Sequence, residues 1–255
     1  MVLTGNVVIR KTLTKQDKKL RKCSSVHNKL KIRFTKYFPI KNYDELDSLL
    51  DKPIGTRDCF FLRKETESGS LIFTNAVTPR EYNELRWNQG WYPYTTFDET
   101  MASPFRELLG EIELLKKARP AEKSFVKNLR FDKIKLNELP VELITWESID
   151  TNLLYFTDVF ADARIIETNE FSITFMSGPH KNIEEYGMTA EEELKGSGEN
   201  KVVLTILAWA DFNNDGIEDI LIEYYRHHSI GTGFFFSPMV LTRKSKNGRL
   251  ERLNL

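Results

Sequence analysis

The stretch ADFNNDGIEDILIEY, from Ala210 to Tyr224, carries oxygen-bearing side chains at Asp211, Asn213, Asp215 and Asp219. Counted from Asp211, Gly216 is sixth and the Ile217 backbone carbonyl seventh. A hard divalent cation takes about six to eight oxygens at ~2.4 Å, and alternate spacing lets a curled loop aim successive side chains inward while glycine makes the bend. An EF-hand would continue to a bidentate Glu at position twelve between two helices. Here that position is Ile222 and both flanks have strand patterning, which excludes the helix-loop-helix module. The competing reading is a metal-free turn, because Asp and Asn bond their own backbone and Asp-Gly is itself a turn signal. Mutual repulsion among Asp211, Asp215 and Asp219 weighs toward a cation.

The spacing D-x-N-x-D-G-x-x-D between two strands resembles the calcium loop of FG-GAP and VCBS-type repeats. It occurs once in this chain, so no propeller is implied. The longer pattern WADFNNDGIEDILIEYY followed by GTGFFFSPMVLTRK is similar to the C-terminal module of bacterial proteins in which a single loop of this kind sits in a β-hairpin. The resemblance implies a structural Ca²⁺ site with Asp211, Asn213, Asp215, the Ile217 carbonyl and Asp219 as ligands. In a cytosol poor in free calcium, Mg²⁺ or an empty loop are the alternatives. It implies no reaction.

A second concentration of chemistry is Arg86, Trp87, Trp91, Tyr92 and Tyr94, in a segment broken by Gly90 and Pro93. Trp, Tyr and Arg dominate binding hot spots, so these residues are candidate partner contacts. Aromatic rings also fill cores, and that is the competing expectation. Other motifs carry less. His227 and His228 are adjacent on a strand and point to opposite faces. Cys23 and His27 share a helical spacing without a third orienting group. Gly231-Thr-Gly233 precedes a strand and not the helix a dinucleotide needs, and Glu191, Glu192 and Glu193 suit a helix start.

Overall charge is zero, with 37 basic and 37 acidic residues, but its distribution is uneven. Met1 to Lys36 holds eleven bases and one acid, whereas Asp158 to Glu223 holds fifteen acids and four bases. Either the two stretches face each other or each serves a partner of opposite sign. Two cysteines are too few to staple a secreted scaffold of this length. With no secretory pattern at the first residues and no apolar run of about 20 residues, the expectation is a soluble, cytoplasmic protein.

These residues need elements to position them. Thr78-Pro79-Arg80-Glu81 reads as a capping box, and Ser103-Pro104 reads as the start of a helix that Pro120 stops. Segments 59–64 and 70–77 read as strands joined by a turn at 65–69, and 164–168 with 171–176 as a hairpin around Asn169. Thr189 and Glu192 are spaced to cap a short helix. Four further strands, 201–210, 219–228, 234–243 and 249–253, follow at short intervals and must pair antiparallel. Asn247-Gly248 predicts a tight last hairpin. The fold class expected is α+β: a C-terminal antiparallel meander of about four to six strands, with helices mainly from the N-terminal half. A seam at 119–124 would divide a basic mixed region, 1–120, from an acidic β-rich region, 121–255, unless the chain forms one unit.

The functional expectation is a non-enzymatic, cytosolic protein-binding protein. Its most specific form is a bacterial immunity protein that neutralises a toxin-like, basic partner and carries a structural Ca²⁺ loop. The alternatives are a metal-dependent hydrolase using Asp211 to Asp219, or a nucleic-acid binder acting through Met1 to Lys36.

Overall fold

A computed structural model describes residues 43–54, 60–127, 129–143, 155–160, 162–177, 200–227 and 234–255. Cys23, His27, Cys59, His228, Gly231, Gly233, the Thr189 to Glu193 cap and the basic N-terminal stretch lie outside these residues. The chain divides into two compact units, and the division among described residues falls between Glu113 and Leu114.

The first unit places helix α1 (Tyr43–Leu49), strands β1 (Leu62–Glu65) and β2 (Leu71–Thr74), helix α2 (Pro79–Asn83), strand β3 (Tyr92–Pro93) and most of helix α3 (Thr96–Lys117) around an aromatic core. Three antiparallel strands pair in the order β2-β1-β3. Thr78 caps α2 as expected: its hydroxyl accepts from Glu81 N at 3.1 Å, and the Glu81 carboxylate accepts from Val77 N at 2.8 Å. The rings of Phe60, Tyr82 and Phe105 pack edge to face or tilted, with centroids 5.1 to 6.1 Å apart.

Helix α3 begins at Thr96, seven residues before the expected start, and Pro104 lies inside it. Proline deprives the carbonyl four residues back of its donor. Here that carbonyl belongs to Thr100, and the Ser103 hydroxyl donates to it at 2.8 Å. The true start is set by Thr95, whose hydroxyl accepts from Asp98 N at 3.1 Å. Asp98 is buried and also accepts from Phe61 N at 3.0 Å, tying the helix to the approach of β1.

The second unit is built on one sheet, in the order β10-β9-β8-β7-β6-β5, from β5 (Arg164–Thr168), β6 (Ser172–Ser177), β7 (Asn200–Ala210), β8 (Ile217–His227), β9 (Phe234–Thr242) and β10 (Glu251–Leu253). All five pairings are antiparallel, as short connections require. A two-residue strand, β4 (Lys123–Ser124), pairs parallel to the start of β8. Alternate residues, among them Phe175, Leu204, Ile206, Ile222 and Leu241, enter a core closed by Phe131, Leu139 and the short helix α4 (Phe156–Val159). The architecture is therefore α+β, with the antiparallel sheet C-terminal and the longer helices N-terminal.

Asn247-Gly248 does not make a two-residue hairpin. Thr242 pairs with Glu251, leaving an eight-residue connection in which Gly248 N bonds Ser245 O at 3.0 Å. Leu250 is buried in the core, and the wider loop lets it reach there. At the other edge, β5 is exposed along its length and shifts register between Ile165 and Glu167. No helix among the described residues is long and apolar enough to cross a membrane.

Candidate functional site

The connection from β7 to β8 spans residues 211–216, and Ala210 and Asp219 are the last Cα partners of the two strands. Two of its residues have left-handed backbones: Gly216 at φ 81° and Asn214 at φ 64°. Glycine and asparagine tolerate that region best. The bend turns successive N–H groups toward one carboxylate. Asp211 Oδ1 accepts from Asn214 N at 2.7 Å and from Asn213 N and Asp215 N at 3.2 Å each. Its Oδ2 accepts from Gly216 N at 2.8 Å. Asp215 bonds Ile217 N at 2.8 Å and the Asn213 amide at 2.9 Å, and the Asn213 oxygen accepts from Asp215 N at 3.1 Å.

Asp211 also joins two chain segments. Its backbone exchanges hydrogen bonds with Arg119, at 2.8 Å and 3.0 Å. Gly216 O accepts from both Glu122 N and Lys123 N, leading into β4. The segment 119–124 is thus pinned at both ends to the Asp-rich loop. Nothing in its own sequence signals this, since the partner lies about ninety residues downstream.

Asp211 is 3% exposed and Asp219 0%. Asp219 Oδ2 accepts from Phe212 N at 3.1 Å, whereas Oδ1 has no hydrogen-bond partner. Burial pushes the Asp219 carboxyl above its ordinary range; the nearby Thr242 hydroxyl and Phe212 N–H oppose the rise, and Asp215 and Asp211 add to it. Thr242 Oγ1 softens the charge without reaching bonding geometry. Among the described residues, no three acidic, His or Cys side chains gather as a metal-holding group. In this arrangement the oxygens of Asp211 and Asp215 accept from protein donors, whereas Asp219 Oδ1 meets none.

The aromatic segment lies in the first unit and splits in two. Trp91 is 6% exposed and faces the interior, and the Tyr94 ring packs edge-on to Phe73 at 4.9 Å. Trp87 and Tyr92, by contrast, are 62% and 53% exposed. The Arg86 guanidinium lies over both exposed rings, 4.6 Å from the Trp87 centroid and 4.2 Å from that of Tyr92. The turn that carries Arg86 and Trp87, Glu84–Asn88, is a π-helix closed by Gln89 N to Glu84 O at 3.1 Å. Asn88 and Gln89 side chains also bond the Glu84 carboxylate, which lowers its pKa. π turns interrupt the helical ladder and recur at functional positions.

Comparison with protein-family models, curated proteins and solved structures finds no match to this chain.

Two measurements check the loop. Asp211→Ala strips four backbone N–H groups of their acceptor and lowers unfolding stability by ~3 kcal/mol or more, with Asp211→Asn intermediate; urea unfolding reads both. The Asp219 carboxyl holds more protons folded than unfolded in the interval between its ordinary and its raised pKa, so wild-type stability declines as pH rises through that interval. Asp219→Asn keeps an acceptor for Phe212 N and carries no charge. Its stability relative to wild type therefore rises across the same interval and levels off above it, in unfolding midpoints taken from acid to neutral pH.

Proposed function

We propose that this chain is a non-enzymatic protein-binding protein whose contact cluster is Arg86, Trp87 and Tyr92, with the Asp-rich loop as a structural brace in the other unit. One observation carries the reading: two large aromatic rings are exposed side by side, held by a guanidinium over their faces. Rings fixed in this way lose little rotamer freedom on docking, and a few such anchors carry most of the binding energy of an interface. The burial of Asp211 and Asp219 supports a bracing role and speaks against the hydrolase alternative, which needs carboxylates open to substrate.

The specific form of the proposal is a bacterial immunity protein acting in the cytosol. Its support is the acidic balance from Asp158 to Glu223, fifteen acids against four bases, which apart from the buried Asp211 and Asp219 suits a basic toxin surface. The orphaned Asp219 Oδ1 favours a subordinate reading in which the loop takes Ca²⁺, with Asp211 exchanging backbone donors for the ion.

A photo-crosslinking residue in place of Trp87, in the cell that makes the protein, yields one discrete protein adduct that disappears when Arg86→Ala is added; no adduct, or a spread of unrelated ones, overturns the binding reading. Co-expression with products of adjacent genes tests the immunity form through protection from toxicity. For the loop, millimolar Ca²⁺ raises the melting temperature of wild type and not of Asp215→Ala. An unchanged melting temperature in calcium removes the ion.

A further inference from the structure

The exposed pair belongs to a wider face of the three-stranded sheet. Arg63 is the Cα partner of Phe73 on β2 and of Tyr92 on β3, so these three side chains form one row on the same side. The alternate row, Leu62 and Thr74, is buried, which fixes the Arg63 row as the outward one. Leu71, exposed, extends it along β2, and Tyr94 joins it through Phe73. Beyond Tyr92 it continues through Arg86 to Trp87.

Two guanidinium groups therefore stand among exposed aromatic and aliphatic side chains. Among the described residues, neither Arg63 nor Arg86 is paired with a carboxylate. Arg86 has the buried Tyr82 hydroxyl on one side, and the remainder of a ring-flanked guanidinium's planar edge is open to a carboxylate. We infer that the partner of this face presents an extended acidic segment, placing an Asp or Glu carboxylate on Arg86 or Arg63 and its neighbouring apolar side chains on Trp87, Tyr92 and Phe73.

The inference rests on the protein-binding reading and adds the chemistry of the contact. Charge decides against nucleic acid. A phosphate backbone brings a charge with every nucleotide and needs several cations along its path. Lys64 is turned to Gln89 O at 2.8 Å, and Glu65, two residues after Arg63, lies on the same face of β1. A single carboxylate between apolar side chains meets the two arginines and avoids that acid. An extended peptide laid along β2 repeats each face every ~7 Å, the spacing of Leu71 and Phe73 on that strand.

Sorting a randomised ten-residue phage library on the full chain, with counterselection on the Arg86→Gln, Trp87→Ala double variant, tests this. The expected outcome is enrichment of Asp or Glu flanked by apolar residues. Peptides so selected then bind Arg86→Gln at least tenfold more weakly than wild type in fluorescence anisotropy, and Arg86→Lys restores binding only in part. Circular dichroism of each variant matches wild type, as expected for surface changes. Enrichment of basic or uncharged peptides, absence of enrichment, or a thymidine 20-mer that binds wild type and not Arg86→Gln each overturns the inference. A discrete crosslink at position 87 to a partner whose contacting peptide carries no acid leaves the protein-binding reading standing and removes this one.

Discussion

Asp211 sets the shape of the β7–β8 loop with its carboxylate and ties that loop to the chain leading into the sheet with its backbone. Four backbone N–H groups converge on its two oxygens, and its own backbone exchanges two hydrogen bonds with Arg119. Buried carboxylates are costly unless their lone pairs are met by donors. Here the donors are supplied by a bend that only left-handed Asn214 and Gly216 permit. The bend in turn exposes Gly216 O to Glu122 and Lys123, which extend the sheet by the parallel strand β4. Asp219, at the mouth of the same turn, is less well provided for, and the rise in its pKa is the electrostatic trace of that shortfall.

The first unit solves a different problem: how to leave large aromatics outside without letting them collapse. Its interior is already filled by Phe60, Tyr82, Phe105 and Trp91. Asp98 anchors α3 to the approach of β1, and the reciprocal Thr78 and Glu81 bonds secure α2. Trp87 and Tyr92 stay outside, and Arg86 covers part of each ring with a flat, weakly hydrated cation.

Much of this was legible before any coordinates. The apolar and aromatic runs in 201–210, 219–228 and 234–243 mark β7 to β9, and short connections force their antiparallel order. Thr78-Pro79-Arg80-Glu81 marks its cap because all the bonds involved are local. Two expected elements differ because a neighbouring group overrides the signal, within the helix itself at Pro104 and across the core at Asn247-Gly248. Pro104 resembles a first-turn proline, yet the Ser103 hydroxyl compensates for it inside α3. Asn247-Gly248 resembles a tight hairpin, yet core burial of Leu250 widens the loop. In the Asp-rich segment, the residue types announced a turn or an ion site, but the Arg119 bridge depends on chain far away in sequence. Trp87 and Trp91 are four residues apart and chemically alike; the first sits on the π turn and is exposed, and the second follows the left-handed Gly90 and is buried.

That turn has an evolutionary corollary. A π turn holds one more residue than the α-helical turn it replaces, and each residue advances a helix by about 100°. A lineage that lost a single codon within 84–88 would regain a regular ladder while swinging the indole round the helix axis, away from the guanidinium and from the β3 ring. Length variation at this one place, more than substitution, would separate chains that keep the exposed pair from chains that have abandoned it.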